Sequence, residues 1–317
     1  MILDLLMLAG GLLLILGGAN YMTDGAAALA KRLGMSELIV GLTVVSMMTS
    51  APELVVSIMS AANGSAQMAI GNIVGSNIFN ILIIVGVVAM IKPIKIGKGI
   101  LANEIPLVIL SSAVLLVMGN APLLDGGTHV LTRVDGLVLL LFFLVFMHYM
   151  ISSARKQPGS TAESTVKDLS LGRSLVYLVG GLAALVFGGQ WFVDGACGLA
   201  RALGWSEALI GLTILAAGTS LPELATSVAA ARKGMSGICI GNVIGSCIFN
   251  IFFVLGVTST ISPLDFGGIG NLDLLTMTGA ALLFWLVGWY WGDKTINRSE
   301  GAIMILMYVI YILAQAL

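Results

Sequence analysis

Apolar runs long enough to cross a bilayer recur from one end of this chain to the other, and that pattern decides what it can fold into. About 20 mostly apolar residues span the roughly 30 Å hydrocarbon core. Such runs fall at about 2–22, 37–61, 68–91, 102–118, 134–152, 173–193, 207–231, 236–260, 272–290 and 301–316. Hydrocarbon offers no water to the backbone, so each run must satisfy its own N–H and C=O groups as a helix. The predicted fold is an all-α polytopic membrane protein of ten transmembrane helices. Composition agrees: 58% of residues are hydrophobic, only 10% are charged, and the mean hydropathy is +1.04. A soluble domain carries about 25% charged residues. The net charge of −1 and the lack of any basic block exclude nucleic acid as a partner.

Glycine is abundant at 40 residues and proline scarce at 7. In membrane helices such glycine lets backbones approach closely. The three cysteines, Cys197, Cys239 and Cys247, sit in or beside apolar runs and read as buried small hydrophobes rather than a disulfide framework. The first run has Asp4 as its only early charge and lacks the positive leader of a signal peptide, so it is predicted to be a retained span. A polar connector at 153–172, with Arg155, Lys156, Pro158, Glu163, Lys167 and Asp168, separates halves at 1–152 and 173–317.

With ten spans, Lys31, Arg32, Lys92, Lys95, Lys98, Arg155, Lys156, Lys167, Arg173, Arg232, Lys233, Lys294 and Arg298 share one side. Only Arg133 and Arg201 of the 15 basic residues fall on the other. The positive-inside rule then puts the connector in the cytoplasm and both termini outside it.

The two halves repeat. Residues 41–54 read GLTVVSMMTSAPEL and 211–224 read GLTILAAGTSLPEL; residues 71–81 read GNIVGSNIFNI and 241–251 read GNVIGSCIFNI. A constant offset of 170 relates Glu53 to Glu223 and Asn80 to Asn250, and also holds for Asp24 and Asp194, Gly34 and Gly204, and Ser36-Glu37 and Ser206-Glu207. Five spans per half is an odd number, so the second half enters from the opposite face. The repeats, about 36–86 and 206–256, are expected to be inverted, an architecture typical of secondary transporters with a midplane site.

Glu53 and Glu223 stand in the middle of apolar spans, where a carboxylate costs several kcal/mol and faces a partner or a watery cavity. Pro52 and Pro222 precede them. A proline inside the helix would release the carbonyls near Met48 and Gly218. Thr49 and Ser50, like Thr219 and Ser220, share the helical face of their glutamate. In the next spans, Asn72, Ser76 and Asn80 form an i, i+4, i+8 stripe that Asn242, Ser246 and Asn250 repeat. These polar residues either bond neighbouring helices together or bring oxygens up to the carboxylates. Gly71 and Gly75, and Gly241 and Gly245, are expected to pack closely beside them. His129 and His148 lie at a loop and a span end, so the inventory is all oxygen and suits hard cations.

With these motifs the chain resembles the cation/Ca²⁺ exchanger superfamily, in particular its prokaryotic sodium/calcium exchangers, over nearly its whole length. The resemblance implies Na⁺-driven Ca²⁺ antiport in a prokaryotic plasma membrane, with Ca²⁺ and Na⁺ as transported ions, no cofactor and no enzymatic activity. It implies Glu53 and Glu223 as central Ca²⁺ ligands with Thr49 and Thr219. It further implies Na⁺ sites at Ser50, Ser220, Ser76 and Ser246 and the carbonyls of Ser46 and Ala216, with Asn80 and Asn250 at the middle. Three departures stand out: Met48 opposite Gly218, Cys247 opposite Asn77 at an expected packing position, and Asn250 where one K⁺-dependent branch carries aspartate. H⁺/Ca²⁺ exchange is the alternative within the same fold, and a cation channel or intramembrane hydrolase the alternative outside it. The lipid bilayer is an expected partner, and no protein partner is evident.

Overall fold

The apolar runs fold as helices in the computed structural model, which describes residues 1–121, 123, 126, 129–156, 169–204, 216–290 and 293–316. The chain order is α1 Ile2–Leu33, α2 Glu37–Thr49, α3 Ala51–Ala62, α4 Ala66–Ile91, β1 Ile94–Lys95, α5 Ile100–Gly119, β2 Val130–Leu131 and α6 Arg133–Lys156. Then come α7 Leu171–Ala202, α8 Ala216–Gly218, α9 Leu221–Arg232, α10 Ser236–Ile261, β3 Leu264–Asp265, α11 Asn271–Tyr290, β4 Thr295–Ile296 and α12 Arg298–Ala316. Among the described residues, 8 helices are long and apolar enough to cross a membrane, and α2 with α3 makes a 9th if the broken pair is one span. Residues 207–215 of the predicted span 207–231 lie outside the described residues, as do Ser206, most of the connector and its Glu163, Lys167 and Asp168.

Two predicted boundaries need correction. The first and sixth spans are helices of 32 residues each. The stretch after residue 22, TDGAAALAKRL, is rich in strong helix formers, so the helix outlasts its apolar part. It ends where Gly34 takes the left-handed conformation (φ 62°) and its N–H caps the carbonyls of Ala30 and Lys31. The prolines also sit differently from expectation. Pro52 and Pro222 occupy the first turn of α3 and α9, directly after breaks at Ser50 (φ −83°, ψ 5°) and Ser220 (φ −88°, ψ 4°). A proline there sacrifices no helical hydrogen bond, so it starts a new helix instead of kinking an old one.

The chain forms two compact units, neither of which coincides with a sequence half. The first comprises Met1–Thr49 and Ser153–Asn242, the second Ser50–Ser152 and Val243–Leu317. In the first unit α1 and α7 run antiparallel along a glycine seam. A Cβ on Gly11 would lie 2.6 Å from the Gly188 carbonyl oxygen, and one on Gly18 would lie 2.7 Å from that of Gly181. Gly11 matches Gly181 at the 170-residue offset, and Gly18 matches Gly188. The two contacts are therefore exchanged by a local two-fold axis. Further along, Gly25 meets Ser174 and Gly195 meets Asp4, again matched positions. At one end of this unit, Lys233 pairs with Asp24 at 2.7 Å and the Arg32 guanidinium donates to the Leu169 carbonyl.

In the second unit, α4 packs on α12 where Gly86 and Gly301 approach each other's carbonyls at 2.7–2.8 Å from the ideal Cβ. Gly256 and Gly136 make the corresponding crossing of α10 and α6, backed by Phe142 stacked on Phe252 at 5.3 Å. Two short antiparallel ladders hold its ends. β1 pairs with β4, Ile94 opposite Ile296 and Lys95 opposite Thr295; β2 pairs with β3, Val130 opposite Asp265. Loops that the expected ten-span order puts on the same side are thus the ones that pair. All three cysteines are buried, as expected.

The seam yields a stability prediction. Gly18→Val should lower the melting temperature of the detergent-solubilised protein by the equivalent of about 1–3 kcal/mol. Gly17→Val, whose Cβ would meet nothing within 4 Å, should leave it nearly unchanged. Equal effects from both substitutions would refute the close packing.

Candidate cation site

Each unit holds one of the two repeat-matched glutamates, Glu223 in the first and Glu53 in the second, with its own set of polar neighbours. In the first unit, Glu223 is fully buried in the opening turn of α9, immediately after the break at Ser220. Asn242 on α10 organises the surroundings. Its amide nitrogen donates to the Glu223 backbone carbonyl at 3.3 Å and to Ser227 Oγ at 3.0 Å. A carbonyl can only accept, so the amide NH₂ must face α9 and Oδ1 must face the other way. There it accepts from the Thr49 hydroxyl at 3.0 Å. With its proton committed to Asn242, the Thr49 oxygen keeps lone pairs for a cation. Ser46 is buried, and its carbonyl lies 3.4 Å from the same hydroxyl. Ser220 Oγ is buried and finds no hydrogen-bond partner among the described residues. Thr219 is half-buried. Ala216 opens α8, and its side chain lies outside the described ones.

In the second unit, Glu53 is fully buried in the opening turn of α3, and Ser50 before it is buried as well. Asn72 on α4 donates to the Glu53 carbonyl at 3.4 Å and to Ser57 Oγ at 3.3 Å, the counterpart of the Asn242 contacts. Asn72 and Asn242 are thus interhelical ties between the carboxylate helix and the next one. The remainder of each stripe behaves otherwise. Ser76, Asn80, Ser246 and Asn250 are at most 1% exposed. Among the described residues, Ser76 Oγ, Asn80 Oδ1, Ser246 Oγ and Asn250 Oδ1 find no hydrogen-bond partner. Asn80 and Asn250 also open π-helical turns, Asn80–Ile84 and Asn250–Leu255. Such turns are rare and cluster at functional sites.

Two sequence expectations change here. Among the described residues Gly75 does not pack closely, since a Cβ there would meet nothing within 4 Å, and one on Gly71 would meet the Ile269 side chain. Gly241 does pack, 2.6 Å from the Leu38 carbonyl. Asn77, expected to be a packing position, is a buried hydrogen-bonding residue. It donates to the Cys247 carbonyl at 3.1 Å and accepts from the Asn250 amide at 3.1 Å. The Asn77/Cys247 mismatch between the repeats was the only trace of this in the sequence. Among the described residues no group of three or more His, Cys, Asp and Glu converges, so hydroxyl, amide and carbonyl oxygens must supplement the carboxylates for any ion held here.

Residues 3–152 and 173–317 match the family described as sodium/calcium exchanger protein. The chain belongs to this family. It is similar to CaxA of Alkalimonas amylolytica, 38% identical with 95% of each chain covered. It is also similar to the inner membrane protein YrbG of Escherichia coli K12, 35% identical over 91% of this chain and 90% of that one. The sodium/calcium exchanger MaX1 of Methanosarcina acetivorans is 31% identical over 98% and 97%. Among solved structures, the sodium-calcium exchanger NCX_Mj superposes with a TM-score of 0.84 at 32% identity, covering 99% of this chain and 98% of that one. The chain is therefore an integral membrane protein with the fold of a prokaryotic cation/Ca²⁺ exchanger.

A buried hydroxyl without a partner costs about 1–3 kcal/mol. Ser76→Ala and Ser246→Ala should each raise the melting temperature of the cation-free protein, by the equivalent of about 1 kcal/mol. Lower melting temperatures would show that these hydroxyls are paired in solution.

Proposed function

We propose that this chain is a secondary antiporter that exchanges Na⁺ for Ca²⁺ by alternating access. In this reading it has ten spans in two inverted five-span repeats, both termini on the non-cytoplasmic side of a prokaryotic plasma membrane, and the connector in the cytoplasm. Family membership supports cation/Ca²⁺ exchange over enzymatic activity. The antiparallel, two-fold-related seam of α1 and α7 supports inversion, and the pairing of like-assigned loops in the second unit supports the topology.

The observation that carries the reading is the set of buried oxygens without hydrogen-bond partners among the described residues, at matched positions Ser76 and Ser246, Asn80 and Asn250. Membrane helices do not keep such groups without a use, because each costs free energy in every state that leaves it unsatisfied. We assign Glu53, Glu223, Thr49 and Thr219 to Ca²⁺. Ser50, Ser220, Ser76, Ser246 and the carbonyls of Ser46 and Ala216 are assigned to Na⁺, with Asn80 and Asn250 at the middle. Ca²⁺ takes six to eight oxygens in flexible geometry, which such a mixed set supplies.

Two ionised glutamates give the site a charge near −2. One Ca²⁺ cancels it, and so do Na⁺ ions sharing the same oxygens. The ion-free site, doubly charged, crosses the apolar barrier poorly, and competition for shared ligands then couples the two fluxes. Hydroxyl and carbonyl oxygens favour Na⁺ over protons as the coupling ion.

Proteoliposomes preloaded with Na⁺ and diluted into Na⁺-free buffer should accumulate radiolabelled Ca²⁺, whereas an outward H⁺ gradient should not drive uptake. Uptake driven only by protons would replace sodium with proton exchange. Glu223→Gln should abolish uptake while leaving the protein extractable and folded; near-normal flux would remove that glutamate from the site.

A further inference from the structure

The repeats are not chemically equal where α4 and α10 cross within the second unit. Asn77 and Cys247 occupy the same place in the two repeats, and here they meet: the Asn77 amide nitrogen donates to the Cys247 carbonyl at 3.1 Å. That carbonyl can only accept, which turns the NH₂ of Asn77 toward it and leaves Asn77 Oδ1 on the opposite side. Oδ1 can likewise only accept, so the Asn250 group facing it at 3.1 Å must be the amide nitrogen. Asn250 Oδ1 is then turned away from both, buried and without a hydrogen bond. The polarity of one backbone carbonyl thus passes through two amides and fixes which end of Asn250 is presented.

Among the described residues nothing does the same for Asn80. Its amide would be served by the residue matching Asn77, and that residue is Cys247, which has no amide to relay. Both Asn80 Oδ1 and Nδ2 lack hydrogen bonds. A free amide can present nitrogen or oxygen, and only oxygen binds a cation.

We infer that Asn77 is a positioning residue for cation binding. It locks the Asn250 carbonyl oxygen into the ligand orientation, making the second-repeat ligand preorganised and its first-repeat counterpart Asn80 adaptable. This rests on the exchange reading above, in which Asn250 touches the ion and Asn77 acts only through it. Preorganisation lowers the cost of binding without adding a contact to the ion. Losing the lock weakens affinity and leaves turnover of the loaded carrier largely intact.

The test uses full-length protein in Na⁺-loaded proteoliposomes, reading KM and kcat for Ca²⁺ uptake. Asn77→Leu and Asn77→Ala remove the relay and should raise KM about tenfold with kcat within about twofold. Asn77→Asp is buried and, once protonated, offers an O–H to the Cys247 carbonyl and an acceptor to Asn250, so its KM should stay within about threefold of wild type. A packing role predicts the reverse order, because an apolar leucine suits a buried helix crossing better than a carboxyl group. Unchanged KM in the leucine and alanine variants, or an aspartate variant at least as impaired as leucine, would overturn the relay. Wild-type vesicles that take up no Ca²⁺ would instead overturn the exchange reading.

Discussion

An oxygen buried in the hydrocarbon core of a bilayer has no water to bond, and the rest of this structure depends on how each such oxygen is satisfied. Backbone groups are served by the helices themselves. Side-chain groups divide into two kinds. Asn72, Asn242 and Asn77 spend their amides on carbonyls of neighbouring helices and hold α3, α9 and α10 in place. Ser76, Asn80, Ser246 and Asn250 keep oxygens unspent at the same depth in the sequence repeats. Both kinds are costly to bury, but only the second leaves the cost standing among the described residues.

The breaks at Ser50 and Ser220 serve the same end by a different route. They place Glu53 and Glu223 in the first turn of a fresh helix, where backbone N–H groups lack intrahelical acceptors and the helix dipole favours negative charge. A carboxylate at that position is less expensive than one in mid-helix. Pro52 and Pro222, which cannot donate a backbone hydrogen bond, are tolerated there without loss. The same short segment therefore ends one helix, begins another and eases the burial of a charge.

Near-symmetry makes the departures informative. The seam of α1 and α7 obeys the two-fold relation down to individual glycines, because an antiparallel pair in contact needs matched small residues on both sides. At Asn77 and Cys247 the relation fails, since Asn77 donates an amide to the Cys247 carbonyl and Cys247 has no amide to return the matching bond. Substitution at that point gives the paired amides different neighbours while the backbones remain equivalent.

Several features were legible in the sequence for simple physical reasons. Long apolar runs can only be membrane helices. The 170-residue offset exposes the matched carboxylates, hydroxyls and amides. The same text was silent on others. Pro52 and Pro222 read as interior kinks because sequence spacing does not reveal where a helix restarts. Gly75 read as a close-packing residue because glycine permits contact without requiring it. Asn72 and Asn80 are one stripe in sequence, yet one ties helices together and the other presents an unbonded oxygen. By itself the sequence determined the solvent, the element type and the donor chemistry, which follow from local composition and periodicity. Only the tertiary structure decided which amide faces which carbonyl, because hydrogen-bond direction is set by partners that lie far away along the chain.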